Sequence, residues 1–241
     1  MPIHHDLSDG IATITIDRPQ RRNALNHDAL TELDAALVTA TTAGARALIL
    51  TGVQGHFCAG ADLTELEDVA FTRHLATVLQ RLASLPITTV AAINGSCMGL
   101  GMQLAVGCDL RVATDDARFA LPVAKLGLMV DHWTIERVTR FFGEGAARHL
   151  VLTGSVLDAD DAWRLGFIQR RGDLAEATAL AAAAVPLAPL SQSGSKTSFD
   201  VRTPEDLARH EAAFARAWAS EDLAEGQRAF KERRSPKFVG R

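Results

Sequence analysis

The stretch "SCMGLGMQLA", residues 96–105, follows directly on the apolar run "ITTVAAING", residues 87–95. An apolar run of this length predicts a buried strand, and the residues after the turn predict a helix. Gly95, Gly99 and Gly101 let the backbone turn tightly and approach other groups closely. The stretch therefore predicts a strand, a tight turn and a helix start, where backbone N–H groups lack partners within the helix.

A second turn has the same chemistry. The small residues of "FCAGADL", residues 57–63, follow the apolar run "ALILTG", residues 47–52, and open onto another predicted helix start. Two N–H groups that point at one spot stabilise the oxygen of a thioester carbonyl as negative charge builds on it. One glycine-rich turn alone is explained more simply by close packing. Two such turns at corresponding strand ends favour an oxyanion site.

Strands and helices alternate through most of the chain. Period-2 or continuous apolar patterns predict strands, and apolar residues at helical spacing predict helices. This alternation predicts an α/β architecture in which helices cover the sheets. The predicted strands are residues 10–19, 45–52, 87–93, 109–114 and 167–171. The predicted helices before the last part of the chain are residues 26–42, 72–86, 99–107, 134–143, 145–154 and 158–166.

The last part of the chain reads as helix only. We expect an α/β core over residues 1–190 and a helical lobe over residues 191–241, with Pro186, Pro189 and the polar segment "SQSGSKTS" acting as a hinge before the lobe. The lobe carries three large apolar residues, Phe214, Trp218 and Phe230. Because large bare apolar patches are unusual on monomers, we expect this face to pack on the main domain or on another subunit.

Composition excludes several classes of protein. The 241 residues carry a net charge of −4 with the charges interspersed, which gives no electrostatic footprint for nucleic acid. No apolar stretch is long enough to span a bilayer, and the first residues do not resemble a secretion signal, so we expect a cytoplasmic protein. Cys58, Cys97 and Cys108 lack the spacing of a zinc site and are interpreted as small core residues.

Other motifs are weak. The segment "SGSK", residues 193–196, lacks the glycine spacing of a phosphate-binding loop. The pair "GLG" has no third glycine in the register of a dinucleotide site, and no His, Asp and Glu cluster has the spacing of metal ligands. We therefore expect no bound metal and no cofactor apart from a thioester ligand.

Six motifs together resemble the enoyl-CoA hydratase/isomerase (crotonase) family. They occur in the family's order and spacing along nearly the whole chain: "DRPQRRNALN", "FCAGADL", "AAINGSCMGLGMQLAVGCDLRVAT", "ARFALPVAKLGL", "LTGSVLDADDAWRLGFIQRR" and "KERRSPKF". The resemblance implies a crotonase-like spiral of ββα units with a C-terminal helical trimerisation lobe. It also implies a homo-trimer or hexamer and an acyl-CoA ligand.

The resemblance also implies roles for individual positions. The backbone N–H groups of Ala61 and Leu100 match the oxyanion donors, and Arg21 or Arg22 would lie near the phosphates of the CoA. Further substrate-binding positions carried over from the family, along the CoA moiety or around the acyl group, are Ala24, Ala59, Asp62, Leu63, Gly99, Gln103, Val123, His132 and Trp133.

Two of these positions depart from the family's pattern. Family hydratases hold and activate water with two glutamates, and the matching positions here are Gln103 and Val123. A neutral amide cannot act as a base, and valine cannot orient water. Since one general acid–base group typically contributes about 10²–10⁴ in rate, we expect weak or absent hydratase activity.

The segment "DHW", residues 131–133, adds a second departure. Asp131 matches the position of a catalytic aspartate in aromatic acyl-CoA dehalogenases of the family, but it also suits the N-cap of the following helix, which we favour. His132 reads as a partly exposed loop residue, and Trp133 lines the acyl site or packs in the core. The pattern resembles non-catalytic acyl-CoA-binding homologues of mycobacteria that handle fatty acyl chains, which implies enzymes of fatty-acid synthesis or activation as partners.

Two alternatives remain open from the residues. The first is an active enzyme of this fold that uses Asp131 for hydrolysis, isomerisation or residual hydration. The second is an unrelated α/β-hydrolase, because "GSCMG", residues 95–99, fits a nucleophile elbow around Cys97. In that hydrolase Asp131 and either His149 or His210 would complete the triad.

Overall fold

The structure is a computed structural model and describes residues 1–64 and 69–241. The strands are β1 Ile3–Ser8, β2 Ile11–Ile16, β3 Ala47–Gly52, β4 His56–Cys58, β5 Thr88–Ile93, β6 Ser96–Met98, β7 Leu110–Ala113, β8 Arg118–Ala120, β9 Val156–Asp158 and β10 Arg170–Arg171. The helices are α1 His27–Thr42, α2 Val69–Ser84, α3 Leu100–Gly107, α4 His132–Phe142, α5 Glu144–Thr153, α6 Ala159–Arg164, α7 Leu174–Ala184, α8 Pro189–Phe199, α9 Pro204–Trp218 and α10 Glu221–Glu232.

The strands form two sheets. The larger sheet has the order β1-β2-β3-β5-β7-β10 and the smaller has the order β4-β6-β8-β9. The β1–β2 pair of the larger sheet and the β8–β9 pair of the smaller are antiparallel, and the other neighbouring strands in these orders pair in parallel. From β3 to β8 successive strands alternate between the sheets, so that β3 with β4, β5 with β6 and β7 with β8 each contribute one strand to each sheet. The fold is therefore the expected crotonase-like α/β spiral of ββα units.

The apolar core lies between the two sheets and their helices. Every residue of β3 is buried, as expected for a parallel strand covered on both faces. The amphipathic helices α1 and α2 turn one apolar face onto this core, with Leu30, Leu33 and Leu37 of α1 fully buried. Asn26 caps α1, because its side chain accepts a hydrogen bond from the N–H of Ala29 at 3.0 Å.

A close approach of the backbone requires glycine where β5 passes into β6. Gly95 has φ of +48°, and a Cβ there would lie 1.9 Å from the carbonyl oxygen of Gly55. No side chain fits such a contact. The switch of the chain from the larger to the smaller sheet therefore depends on this glycine.

The expected hinge before the C-terminal lobe is wrong. Residues 189–199 form α8, and Pro189 lies in its first turn, where the missing N–H costs nothing. Gly194 of α8 packs against Ala213 of α9, and Lys196 donates hydrogen bonds to the carbonyl oxygen of Ile87 at 2.8 Å and to Asp109 at 2.7 Å. Tertiary contacts with α9 and with the core stabilise a helix that the polar sequence did not predict. The division at residues 190 and 191, which falls inside α8, stays a prediction.

Large apolar side chains are exposed on the C-terminal helices. Phe214, Trp218 and Phe230 have 56%, 64% and 87% of their surface exposed, so none of them is covered by the main domain. Phe214 and Trp218 lie side by side, with ring centroids 5.7 Å apart.

In the described chain no helix by itself has the length and apolar character of a membrane span. The pair α7 and α8, which meet at an angle of 109°, reaches that length and composition only when the two helices are taken together.

Candidate functional site

The two glycine-containing turns lie at one edge of the smaller sheet. Strands β4 and β6 are parallel neighbours, with Cys58 paired to Cys97. Parallel neighbours present their carboxyl ends at the same edge. The turn that follows β4 and the turn that follows β6 therefore lie next to each other.

Gly60 and Gly99 bring these two turns into near contact. Their φ values are +127° and +54°, a region that residues with a side chain rarely adopt. A Cβ on Gly99 would lie 3.8 Å from the Cα of Gly60, and a Cβ on Gly60 would lie 3.5 Å from the carbonyl oxygen of Met98. Both distances are ordinary van der Waals contacts, so the positive φ values, and not a lack of space, favour glycine at these two positions.

The N–H groups of Ala61 and Leu100 follow these glycines directly. Leu25 donates to the carbonyl oxygen of Gly60 at 3.0 Å and accepts from the N–H of Asp62 at 2.8 Å. Neither of these two hydrogen bonds uses the N–H of Ala61. Leu100 is the first residue of α3 and has no partner one turn before it. Within residues 1–64 and 69–241, neither N–H has a hydrogen-bond partner.

The start of α3 is held against the end of β4. A Cβ on Gly101 would lie 2.1 Å from the carbonyl oxygen of Cys58, so only glycine permits this packing. The position of the Leu100 N–H relative to the neighbouring turn is therefore fixed by backbone contact. Because a helix N-terminus carries partial positive charge, this end of α3 favours a ligand atom with negative charge.

The other end of α3 is held by Arg111 of β7. Its guanidinium donates to the carbonyl oxygens of Ala105 at 3.2 Å, Cys108 at 2.9 Å and Phe167 at 2.6 Å, and it stacks over the ring of Phe141 at 4.1 Å. Burial lowers the pKa of Arg111 to about 10, which leaves it charged at neutral pH. A cation among the last carbonyls of α3 also complements the helix dipole.

Asn23 anchors the loop between β2 and α1 to this edge of the sheet. It has φ of +60°, and its side-chain amide donates to the carbonyl oxygens of Val53 at 2.9 Å and His56 at 2.5 Å. Its Oδ1 accepts from the N–H of Arg18 at 2.9 Å. The buried side chain of Asn23 therefore satisfies three backbone groups at once and fixes the loop beside the turn at Gly60.

Asp62 forms a buried ionic cluster, and its role in CoA binding stays a prediction. Its carboxylate accepts from the hydroxyl of Thr64 at 2.7 Å and from Arg18 at 3.2 Å, and the Nε of Arg21 lies 3.8 Å away. The hydroxyl of Thr64 is the largest cause that lowers the pKa of Asp62, and the two guanidinium groups act in the same direction. Asp62 is thus ionised and holds the loop at 18–25 against the turn at 60–62.

The other positions expected along the CoA lie around the same loop. The carbonyl oxygen of Ala24 accepts a hydrogen bond from Arg18, and the N–H of Ala59 donates to the carbonyl oxygen of Arg22 at 3.0 Å. Leu63 is exposed beside this junction. The structure therefore brings these positions together, and their role in CoA binding stays a prediction.

Gln103, one turn into α3, is connected to Asp131 through Thr134. The Nε2 of Gln103 donates to the hydroxyl of Thr134 at 2.9 Å, and that hydroxyl donates to the Oδ1 of Asp131 at 2.5 Å. Gln103 and Thr134 are buried. The N–H of Thr134 also donates to Asp131 at 3.1 Å, so Asp131 has the favoured role of N-cap of α4.

The remaining acyl-site positions are divided between surface and core. Val123 is half-buried in the 3₁₀ turn Pro122–Leu126, and His132 is exposed at the start of α4. Trp133 packs on the core beside Gly107 at the C-terminal end of α3, and the guanidinium of Arg137 stacks over its ring at 4.6 Å. Of the two roles predicted for Trp133, packing in the core is therefore confirmed, and a role in lining the acyl site stays a prediction.

A crevice of about 460 Å³ lies between α8 and the core, away from the two turns. Thr88, Asp109, Arg137 and Lys196 are among the residues that line it. It is located near Cys108, which follows the last residue of α3, whereas the unpaired N–H groups lie at the first residue. The crevice is therefore separate from the candidate site.

The alternative hypothesis of a hydrolase with Cys97 as its nucleophile is wrong. Cys97 lies inside β6 with no exposed surface, and burial raises its pKa well above the ordinary value. A buried neutral thiol in the middle of a strand is not a nucleophile. All three cysteines are buried and unpaired, as expected of small core residues.

A model of the enoyl-CoA hydratase/isomerase family matches residues 6–241. The chain belongs to this family. It is 40% identical over 236 residues to "Probable enoyl-CoA hydratase echA6" of Mycobacterium tuberculosis, with 97% of each chain covered. It is 34% identical over 252 residues to "Enoyl-CoA hydratase domain-containing protein 2, mitochondrial" of Homo sapiens, with 96% of this chain and 86% of that one covered.

The fold of this family member is also similar to solved structures. The enoyl-CoA hydratase from Bacillus anthracis superimposes with a TM-score of 0.91 at 27% identity over 100% of both chains. An enoyl-CoA hydratase of Mycobacterium smegmatis superimposes with a TM-score of 0.88 at 29% identity over 99% of each chain. The family membership and the spiral fold thus agree.

Three residues that shape the site were not predicted from the sequence. Arg18 and Asn23 lie within the motif "DRPQRRNALN", but nothing local distinguishes their buried roles from those of neighbouring loop residues. Thr134 reads as an ordinary first-turn residue of a helix. Only the packing of α3 against α4 places its hydroxyl between Gln103 and Asp131.

Proposed function

We propose that this family member binds acyl-CoA thioesters through the backbone N–H groups of Ala61 and Leu100, with little or no hydratase activity. The observation that carries the proposal is the contact of two turns whose N–H groups both lack a protein partner. Backbone donors without a protein partner are satisfied by water or by a ligand. A thioester carbonyl oxygen accepts from two such donors at once.

The side chains beside these turns support binding rather than hydration. Gln103 is a neutral amide, and Val123 is apolar, so neither can transfer a proton to or from water. Gln103 is in addition hydrogen-bonded to Thr134 through its Nε2. A bound thioester would therefore be polarised without the acid–base groups that add water to it.

Cationic side chains beside the site suit the phosphates of CoA. Arg21 and Arg22 lie on the exposed loop whose backbone bonds to Ala59, and guanidinium groups bind phosphate oxygens in a bidentate manner. We assign the CoA moiety to this loop, along Ala24, Ala59 and Leu63. The thioester then lies at the two turns.

The proposal includes self-association through the C-terminal helices. Phe214, Trp218 and Phe230 are exposed on α9 and α10, and large exposed apolar patches are unusual on monomers. Burial of this face between copies accounts for it, as a trimer or hexamer. The proposed location is the cytoplasm, and the proposed partners are enzymes that supply or receive acyl thioesters.

A second candidate function is catalysis by Asp131. Its Oδ1 accepts from Thr134, but its Oδ2 has no hydrogen-bond partner in the described part of the chain. The residue is exposed. A carboxylate oxygen in this state could attack an acyl group or take a proton in a hydrolase or isomerase.

Calorimetric titration with crotonyl-CoA and a chain-length series of saturated acyl-CoAs tests the proposal. Turnover of crotonyl-CoA is followed in parallel by loss of the ultraviolet absorbance of the conjugated thioester. Binding without turnover supports the proposal, and turnover that disappears in Asp131→Asn supports the second candidate. If every thioester gives a flat titration, and free CoA does as well, the assignment of an acyl-CoA ligand is wrong.

A further inference from the structure

The hydroxyl of Thr134 has one proton and two polar neighbours. Asp131 accepts at 2.5 Å, and Gln103 Nε2 lies at 2.9 Å on the other side. A carboxylate can only accept, so the proton of Thr134 is directed to Asp131. The Thr134 oxygen is then left as an acceptor toward residue 103.

This arrangement determines which end of the Gln103 amide faces Thr134. Only Nε2 can donate to an oxygen that has given its proton away, so the amide cannot be turned over without the loss of a buried hydrogen bond. The Oε1 of Gln103 must therefore face away from Thr134. Asp131 thus sets the orientation of Gln103 without contacting it.

The Oε1 of Gln103 borders accessible space. No described group donates a hydrogen bond to it. Among the described residues, the fully buried polar side-chain atoms without a partner are Asn94 Oδ1 and Arg137 Nε. Because Gln103 Oε1 is not one of them, this oxygen is not fully buried. Gln103 is three residues after Leu100, and helical side chains point back toward the N-terminus, over the preceding turn. This direction carries the free oxygen toward the turn whose Leu100 N–H would hold a thioester.

We propose that Thr134 is a positioning residue that fixes the Oε1 of Gln103 as a hydrogen-bond acceptor for the bound acyl chain. The inference rests on the proposed thioester binding and adds a preference to it. A thioester whose acyl chain carries a hydrogen-bond donor close to the carbonyl binds more tightly than the same thioester without the donor. The preference equals one net hydrogen bond, about three- to tenfold in Kd.

Two matched substitutions separate orientation from packing. Thr134→Val keeps the β-branched shape but removes the hydroxyl, so that Nε2 loses its partner and the amide is free to turn. Thr134→Ser removes only a methyl group and keeps the hydroxyl between Gln103 and Asp131. Gln103→Met removes the acceptor itself with little change of volume.

The test is calorimetric titration with butyryl-CoA and 3-hydroxybutyryl-CoA on the wild type and these three variants. The ratio of the two Kd values is the readout, because a purely structural effect of Thr134 would weaken both ligands together. We expect a three- to tenfold preference for the hydroxylated thioester in the wild type and in Thr134→Ser. The ratio should fall to about one in Thr134→Val and in Gln103→Met.

Equal affinities for the two thioesters in the wild type, or an unchanged ratio in Thr134→Val, would overturn the inference while leaving thioester binding in place. If the wild type binds neither thioester, the proposed function itself fails. Should Thr134→Val not fold, the ratio in Gln103→Met decides, since a preference that survives there cannot come from Oε1.

Discussion

Gln103→Glu is a small change in shape that conflicts with the hydrogen bonds around Thr134. The substitution places a carboxylate oxygen opposite the Thr134 hydroxyl, at the position of the Nε2 atom that now donates at 2.9 Å. Two carboxylates then compete for one hydroxyl proton, which Asp131 already accepts at 2.5 Å. The introduced carboxyl group must either take up a proton or lie buried beside an oxygen that cannot donate to it.

The cost follows from burial and from the missing donor. Gln103 is 7% exposed and Thr134 is fully buried, so water cannot replace the lost hydrogen bond. A buried acceptor without a donor costs about 1–3 kcal/mol, and the same loss raises the pKa of the introduced carboxyl group in the folded chain. Its unfolded pKa is about 4.3. The variant should therefore match the wild type below pH 4 and lose stability as the pH rises above that value.

Asp131→Asn should relieve this conflict. The neutral amide oxygen at position 131 holds the Thr134 proton less strongly than a carboxylate does, and asparagine is still a good N-cap residue. The Thr134 proton is then available to the introduced carboxylate. We expect Gln103→Glu to cost about 1–2 kcal/mol less in the Asp131→Asn background, the coupling typical of residues in one hydrogen-bond network.

Urea unfolding of the two single variants and of the double variant, at several pH values from 4 to 8, measures this coupling. Gln103→Met, which adds no ionisable group, serves as the control whose pH dependence should follow that of the wild type. The reasoning is refuted if Gln103→Glu costs the same in both backgrounds, or if its cost does not grow with pH.

Three further predictions concern the surroundings of the site. Arg111→Met should lower the free energy of unfolding by about 3–5 kcal/mol in urea titrations, because it leaves the buried carbonyls that Arg111 now satisfies without a donor; a loss below 1 kcal/mol would contradict this role. Because the folded chain lowers the pKa of Asp62, its ionised carboxylate stabilises the fold above its unfolded pKa of about 3.9, and this contribution is lost as the pH falls. Asp62→Asn should therefore show a flatter decline of unfolding free energy between pH 5 and 3 than the wild type, and parallel curves would argue against the buried cluster. Trp218→Glu should reduce the sedimentation coefficient of the protein to that of a smaller species without changing its circular dichroism, and an unchanged coefficient would place the contact between copies elsewhere.

Much of the spiral could be predicted from local patterns. The strands β2, β3, β5 and β7 and the helices α1 to α6 follow from apolar periodicity, since each buries one face or a whole run in the core. The N-cap Asp131 followed from residue type and position. These elements are set by interactions between near neighbours in sequence.

The missing elements depend on distant contacts. Strands β4, β6 and β8 are three residues long, too short for any periodic pattern, and exist because they pair with one another in the smaller sheet. In β1 only Ile3 is buried, so no alternation marks that edge strand. The polar α8 is helical because it packs on α9 and on the core.

The candidate site shows the same division. The two turns and their glycines could be recognised from the sequence, because positive φ and close approach select glycine directly. The direction in which the Thr134 hydroxyl donates its proton could not be predicted from the sequence, since it depends on a contact between α3 and α4 across 31 residues. The orientation of the Gln103 amide can be explained only when its hydrogen-bond partner, the hydroxyl of Thr134, is known.

The central claim is that the N–H of Leu100 binds the thioester carbonyl, and Leu100→Pro tests it. Leu100 is the first residue of α3, where proline is well tolerated, so the substitution removes the N–H with little expected effect on the helix. Leu100→Ala is the matched control, because it also loses the buried side chain but keeps the N–H. In titrations with butyryl-CoA, Leu100→Pro should bind about three- to tenfold more weakly than Leu100→Ala. Equal affinities of the two variants would contradict the account.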